Sequence, residues 1–236
     1  MSPPTEAKGL SFVLLEPGPH VSEAEYHDWY DTEHAPTRLE IPTFYNAARF
    51  KAVDGQKPTY LTLYDLSEPS VADGPEYQAV RAKGSERDQR LLQTVQYLNR
   101  RAYTTIFNST LPSASASDLP GKFVCYVQME VTPEGEAELN KWYEEEHVPL
   151  LSKINGWVRS RRYTLHNDFT RASESGDLGI PVYKYLAVHD FSVGQYWETP
   201  EWKAAVSTPW REKVVKNVTG RELRHFELFR EYKRPE

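Results

Sequence analysis

Two Glu-His pairs stand at matching places in this 236-residue chain, Glu33-His34 and Glu146-His147. Each follows a Trp-Tyr pair (Trp29, Tyr30; Trp142, Tyr143) and precedes a proline (Pro36; Pro149), with an arginine further along (Arg49; Arg162). Imidazole is the side chain whose ordinary pKa lets it take or give a proton near neutrality. A guanidinium fork suits a carboxylate or enolate oxygen. These types suit proton transfer on a small acid. His34 and His147 would act as acid or base, with Glu33 and Glu146 in the same catalytic set, and Arg49 and Arg162 would hold the anion. Trp29, Tyr30, Trp142 and Tyr143 would wall the pocket, and Tyr60 and Tyr185 could add phenol hydrogen bonds. The same residues also make a purely structural set. Glu33 with Arg49 and Glu146 with Arg162 would then be ion pairs fixing helix to sheet, and each histidine would cap its helix or stack on a ring.

Helical spacing places these groups. Leu139, Trp142, Tyr143, Glu146 and Leu150 follow the i, i+3, i+4, i+7, i+11 pattern of one buried stripe, and Tyr26, Trp29, Tyr30 and Glu33 repeat it. The glutamates therefore fall on the inward side, where an unpaired charge costs several kcal/mol. The histidines lie about 100° round the helix, at the edge of the stripe. His189-Asp190 is no dyad, because neighbours on a strand point to opposite faces.

The register extends well beyond the motif. Between positions 29 and 50, seven residues recur at an offset of 113, where unrelated sequence gives roughly one or two. Later the offset becomes 125, which places a twelve-residue insertion between Tyr163 and Tyr185. Two repeats follow, residues 9–107 and 122–232, joined by a Ser, Ala and Pro-rich linker at 108–121. In the first repeat, Gly9 to Leu15 reads as a strand, and Ser22 with Glu25 opens a helix to about Arg38. Phe44 to Ala52 and Thr59 to Leu66 read as strands about the Asp54-Gly55 turn. Ser85 with Asp88 starts a helix through Tyr97, and 102–107 closes the unit. The second repeat has strands at 122–131, 157–165 and 182–191. Its helices start at Thr132-Pro133, Thr199-Pro200 and Thr208-Pro209. Such β-α-β-β-α units are ferredoxin-like, with helices on one face of an antiparallel sheet. The expected fold is α+β: two ferredoxin-like repeats packed sheet to sheet as a single-chain, pseudo-dimeric barrel.

The W-Y-x-x-E-H-x-P motif, followed by an aromatic and then Arg49-Phe50 or Arg162-Tyr163, resembles the EthD-like branch of the dimeric α+β barrel superfamily. The resemblance covers both halves and marks a tandem-fused member. It implies a superfamily that includes cofactor-free monooxygenases, polyketide cyclases, lactone isomerases, decarboxylases and haem enzymes. An axial histidine for haem enters by this resemblance alone.

Composition narrows the field. A net charge of -6 with scattered Lys and Arg makes no basic stripe for nucleic acid. Cys125, the single cysteine, lies in an apolar run and reads as a buried structural thiol. The start, Met1 to Glu6, has no signal-peptide pattern, and no eighteen-residue apolar run occurs, so a cytoplasmic protein without membrane attachment is expected. The sequons at Asn108 and Asn217 would then go unused. Metal-ligand spacings, a glycine-rich phosphate loop and a G-x-S-x-G elbow are absent, so no metal and no cofactor are expected. Thirty aromatic residues suit a pocket for a planar ligand and a packed core equally. The leading expectation is a cofactor-independent lyase or isomerase of secondary metabolism. It would act on a small aromatic or polyketide-like intermediate by proton transfer, giving cyclisation, decarboxylation or isomerisation. The alternatives are a non-catalytic carrier of a hydrophobic molecule, or a monooxygenase or haem member of the barrel superfamily. The second half is expected to hold the more enclosed site, with the insertion from Asp168 to Gly179 as its lid. Whether two chains pair again as a homodimer stays open.

Overall fold

The computed structural model describes residues 7–173 and 176–234. Met1 to Glu6, and Glu174 and Ser175 of the expected lid, lie outside the described residues. The elements run β1 (Gly9–Glu16), α1 (Glu23–Trp29), α2 (Ala35–Leu39), β2 (Asn46–Ala52), β3 (Tyr60–Leu66), α3 (Pro75–Ala82), α4 (Glu86–Thr94) and β4 (Tyr97–Thr110). They continue as β5 (Phe123–Val131), α5 (Glu136–Trp142), α6 (Val148–Leu151), β6 (Trp157–Ala172), β7 (Tyr185–Phe191), α7 (Pro200–Ala205), α8 (Pro209–Val215) and β8 (Val218–Lys233). The fold is α+β, and the eight strands form a closed antiparallel barrel in the order β1-β3-β2-β8-β5-β7-β6-β4. Among the described residues no helix is long and apolar enough to cross a membrane.

The chain divides into two compact units. The first comprises Met1–Thr105, Leu165–Pro181 and Phe229–Glu236, and the second Ile106–Thr164 and Val182–Leu228. In the first unit β1 pairs with β3 and β4, and β2 with β3. Cross-strand partners share a sheet face. Val13 therefore lies beside Thr62 and Arg100, and Ser11 beside Tyr64 and Ala102. Tyr26, Trp29, Tyr30, Leu39 and Leu91 of the helices pack with Val13 and Tyr64 in one buried core. Burying each such large apolar side chain contributes roughly 1.5–3 kcal/mol.

In the second unit β5 pairs with β7 and β8, and β6 with β7. Val127 lies beside Ala187 and Leu223, and Cys125 beside His189 and His225. Leu139, Trp142, Tyr143, Leu151 and Trp202 complete its core with Cys125, whose thiol is fully buried.

The helix expected from Ser22 to Arg38 forms, but it is not a uniform α-helix. Between α1 and α2 the residues Tyr30–His34 make a π turn, in which the Ala35 N–H reaches the Tyr30 carbonyl five residues back. Tyr143–His147 does the same between α5 and α6, with the Val148 N–H on the Tyr143 carbonyl. A π turn inserts an extra residue into the helical circuit. The 3.6-residue phase therefore holds as far as Tyr30 or Tyr143 and is shifted beyond it. Elsewhere, the second helix ends at Thr94, and β4 already begins at Tyr97. β6 runs on to Ala172, so part of the expected insertion is strand, and α3 has no counterpart in the sequence reading. Ser22 caps α1 by accepting from the Glu25 N–H, while the Glu25 carboxylate turns to Arg90 rather than back to the cap.

Two caps tie the later helices to the π turns. The Ser85 hydroxyl accepts from the Asp88 N–H at 3.1 Å and donates to the Glu33 carboxylate. In the second unit, the Thr208 hydroxyl accepts from the Arg211 N–H at 3.1 Å and donates to the Glu146 carboxylate. Losing an N-cap hydroxyl costs about 1 kcal/mol, up to about 2. Ser85→Ala is expected to lower stability within that range, read as a shifted urea midpoint at unchanged slope.

Candidate functional site

The π turn decides which side chains reach the first unit's interior. His34 closes the turn, and its ring lies 4.5 Å from that of Trp29 and 4.9 Å from that of Tyr30. The short α4 meets it from the other side. Asp88, in the first turn of that helix, accepts from His34 Nδ1 at 2.8 Å and from Trp29 Nε1 at 3.0 Å, all through Oδ1. Arg38, one helical turn after His34, stands 3.6 Å from the other carboxylate oxygen. The Asp88 side chain is only 2% exposed and that of His34 12%.

Burial works against charge on both partners, but with different outcomes. For His34 desolvation dominates, helped by the nearby Arg38 charge, and lowers its pKa from 6.5 to about 4. Burial pushes Asp88 up, yet the His34 hydrogen bond and charge, Arg38 and the Trp29 N–H together hold it below the ordinary carboxylate range. Near neutral pH the pair is therefore a neutral imidazole on a carboxylate anion. A neutral imidazole with its N–H on a carboxylate must carry the proton on Nδ1. Nε2 is left as a lone-pair base, and it has no hydrogen-bond partner among the described residues.

That ring lines a cavity of about 100 Å³ in the first unit. A dry cavity of about 150 Å³ holds benzene, so the space is on the scale of one aromatic ring. Its walls include Ser11, Val13, Leu98 and Arg100 from the sheet, Arg38, Phe44 and Tyr64, and Tyr77 and Arg81 from α3. Phe169 and Arg171, from the far end of β6, line it too. Tyr30 joins this wall, its hydroxyl in contact with those of Thr62 at 3.0 Å and Tyr64 at 3.1 Å. Burial raises the pKa of both tyrosines, so these phenols keep their protons.

The other residues singled out in the sequence go elsewhere. The expected Glu33–Arg49 pair does not form. Arg49 is fully buried, pairs with Asp31 at 3.3 Å, donates to His27 Nδ1 at 2.9 Å and lies over the Tyr30 ring at 4.8 Å. The shifted phase of the π turn sends Glu33 to the Ser85 cap and leaves Asp31 as the carboxylate for Arg49. Tyr60 donates to Glu23 at 3.0 Å and contacts His27. Neither Arg49 nor Tyr60 lines the cavity.

The second unit places its equivalents without a dyad. Glu146 accepts from Trp142 Nε1 at 3.0 Å instead of meeting Arg162. His147 stacks on Trp142 at 4.3 Å, donates through Nδ1 to the Ala205 carbonyl at 3.2 Å, and burial drives its pKa well below 6.5. Arg162 lies 4.1 Å over the Tyr143 ring, and its two terminal nitrogens have no hydrogen-bond partner among the described residues. Its cleft, lined also by Tyr185, has no room for a water molecule.

Position by position, the second unit lacks the polar groups of the first. Counting from the Ser85 and Thr208 caps, Asp88 corresponds to Arg211. At the offset of 113, Arg38 of α2 corresponds to Leu151 of α6, and Arg100 and Leu223 stand opposite Val13 and Val127. A guanidinium cannot accept the imidazole proton, and the buried Leu151 and half-buried Leu223 are apolar. Of the two, the first-unit cavity is the roomier, and Phe169 and Arg171 of the expected lid line it rather than the second-unit cleft. Among the described residues no group of three or more His, Cys, Asp or Glu could hold a metal ion. Nor does either motif histidine offer room for a haem among the described residues. One-ring space before His34 cannot take a porphyrin, and the His147 ring is covered by Trp142.

No protein-family model and no curated protein matches this chain. Solved structures do. An anthrone oxidase-like protein is 12% identical, with a TM-score of 0.62 over 98% of this chain and 96% of its own. A proposed monooxygenase from Lactobacillus acidophilus NCFM is 9% identical, with a TM-score of 0.55 over 97% of each chain. A proposed chlorite dismutase is 13% identical, with a TM-score of 0.53 over 94% of this chain and 95% of its own. At these identities the likeness establishes the ferredoxin-like α+β barrel fold alone.

The protonation scheme has a measurable sign. Between pH 6.5 and about 4 the unfolded chain binds a proton at His34 that the folded chain refuses, so His34 removes stability as the pH falls through this window. From pH 6.5 to pH 5 that loss is on the order of 2 kcal/mol. His34→Gln is expected to show a correspondingly smaller loss in urea unfolding at the two pH values. Imidazole nitrogen NMR at pH 7 should show His34 as the Nδ1–H tautomer.

Proposed function

We propose that the protein is a cofactor-independent enzyme in which His34 Nε2 takes a proton from a small aromatic carbon acid bound in the first unit. The observation that carries this reading is the neutral, largely covered His34 fixed through Nδ1 on Asp88 in a cavity of one-ring size. A positioned base of this kind contributes typically 10²–10⁴-fold. Asp88 fixes the tautomer and stabilises the imidazolium that forms when the proton arrives. Arg38 and the phenols of Tyr30 and Tyr64 are placed to favour negative charge developing on an enolate oxygen in the cavity. Return of the proton to another carbon completes an isomerisation. Loss of carbon dioxide would itself leave such an enolate, which a protonated His34 would quench at carbon, and ring closure would consume the enolate by attack on a second carbonyl.

A second reading, oxygenation, is favoured by the names of two structural relatives, an oxidase-like protein and a proposed monooxygenase. It would begin with the same deprotonation, the carbanion then reacting with molecular oxygen. Placement of the chain as a tandem EthD-like protein, with repeats at 9–107 and 122–232, is part of this proposal. It is supported by the recurrence of the W-Y-x-x-E-H-x-P motif on a π turn in each unit.

Phenylpyruvate, a one-ring acid with a labile benzylic C–H, serves as the probe. Exchange of that hydrogen in heavy water, followed by proton NMR, is expected to be accelerated by the wild-type protein. His34→Gln should lower kcat/KM by at least about 100-fold, roughly 3 kcal/mol of barrier. His147→Gln should leave it unchanged. The acid limb of the pH profile should fall through about 4, the His34 value. Exchange that survives His34→Gln at an unchanged melt removes the base reading. Saturable binding with no exchange identifies a carrier, and oxygen uptake during exchange identifies the oxygenase.

A further inference from the structure

The charges around the first-unit cavity do not cancel. Four guanidiniums line it, those of Arg38, Arg81, Arg100 and Arg171. Arg38 is answered by Asp88 at 3.6 Å. Arg100 is answered by Asp73 and the Ala72 carbonyl, with Tyr77 beneath it at 5.1 Å. The other two have no such answer. Arg171 donates to the Leu92 carbonyl at 3.2 Å, and Arg81 lies over the Phe169 ring at 5.9 Å. Neither has a carboxylate within ion-pair reach among the described residues. His34 adds no negative charge, being neutral, and Asp73 and Asp88 are the carboxylates already engaged.

These two cations share one side of the cavity. Phe169 and Arg171 are two apart on β6 and so point to the same face of the strand. Phe169 is 39% exposed and Arg81 is exposed as well, whereas His34 is nearly covered. The cations thus stand at the mouth and the base stands at depth. Between them Phe44 and Tyr77 lie stacked, 6.1 Å apart and 6° from parallel, with Val13, Leu92 and Leu98 nearby.

We infer that the first-unit cavity recognises an aromatic carboxylic acid, its ring beside Phe44 and Tyr77 and its carboxylate at the mouth between Arg81 and Arg171. The inference rests on the base reading above and names the substrate class for that site. Guanidinium matches a planar carboxylate with paired N–H donors, and partial burial at the mouth strengthens that contact over one in open water. A neutral aromatic would leave both guanidiniums unanswered. A long apolar chain would leave the rings without a face to stack on.

Equilibrium binding separates this recognition from proton transfer. The probes are 3-phenylpropionate and 3-phenylpropanamide, which match in shape, differ in charge and carry no readily exchanged C–H. Titration calorimetry with the wild-type protein should give the acid at least about tenfold tighter binding than the amide. The preference should shrink as salt rises from 0.05 to 0.5 M, roughly one tenfold step in ionic strength. Arg81→Gln with Arg171→Gln should bring the two affinities together by weakening the acid alone. His34→Gln should keep the preference even where exchange of phenylpyruvate has stopped. Equal affinity for the two probes, no binding of either, or a preference that survives the double substitution at an unchanged melt overturns the assignment. An intact acid preference with no exchange in the wild-type protein upholds the assignment and removes only the base reading.

Discussion

A single buried carboxylate organises the first unit. Asp88 sits where an unpaired charge would cost several kcal/mol, and it is held there by Trp29, His34 and Arg38 together with its place in the first turn of α4. Each partner constrains something else in turn. Trp29 fixes the helix on the sheet, and His34 gains a defined tautomer. Arg38 takes its place in the cavity wall. Ser85 completes the linkage, since one hydroxyl caps α4 beneath Asp88 and secures Glu33 on the π turn. The tautomer of His34 and the docking of the helices therefore depend on one set of contacts.

The second unit shows what the same frame becomes without that carboxylate. Arg211 stands where Asp88 would, and the imidazole turns to a backbone carbonyl. Trp142 takes Glu146 as its acceptor, and Leu151 and Leu223 occupy the space that arginines hold in the first unit. Arg162 is stabilised by the face of Tyr143 rather than by an anion, and burial lowers its pKa. Such a unit retains packing and the π turn with its histidine on a backbone carbonyl instead of a carboxylate.

Much of the fold was legible from periodicity, caps and the recurring motif, because these are local signals. His34 was visible as a candidate base for the same reason. Its partner was not, since Asp88 reads locally as a helix-cap residue and meets His34 only across 54 residues of sequence. A signal did exist in the comparison of the halves, where Ser85-x-x-Asp88 faces Thr208-x-x-Arg211. Arg49 was correctly placed in the interior but given the wrong carboxylate, because a uniform 3.6-residue helix hides the extra residue of the π turn. The arginines of the mouth carry no local pattern. Arg171 lies in a stretch that reads as an insertion in the second repeat, and the structure assigns it to the first unit.

That crossing of chain segments bears on how the protein is made. Tyr232 donates to Asp31 across 201 residues, Arg230 pairs with the same carboxylate at 2.7 Å, and Phe229 covers the Arg49 guanidinium at 4.8 Å. A ribosome releases the strand, helices and His34 of the first unit early, yet groups that neutralise and cover its buried charges emerge up to 201 residues after Asp31. The core of the first unit therefore stays incompletely sheltered until those residues have been made, so its folding is not completed as its first strands and helices emerge.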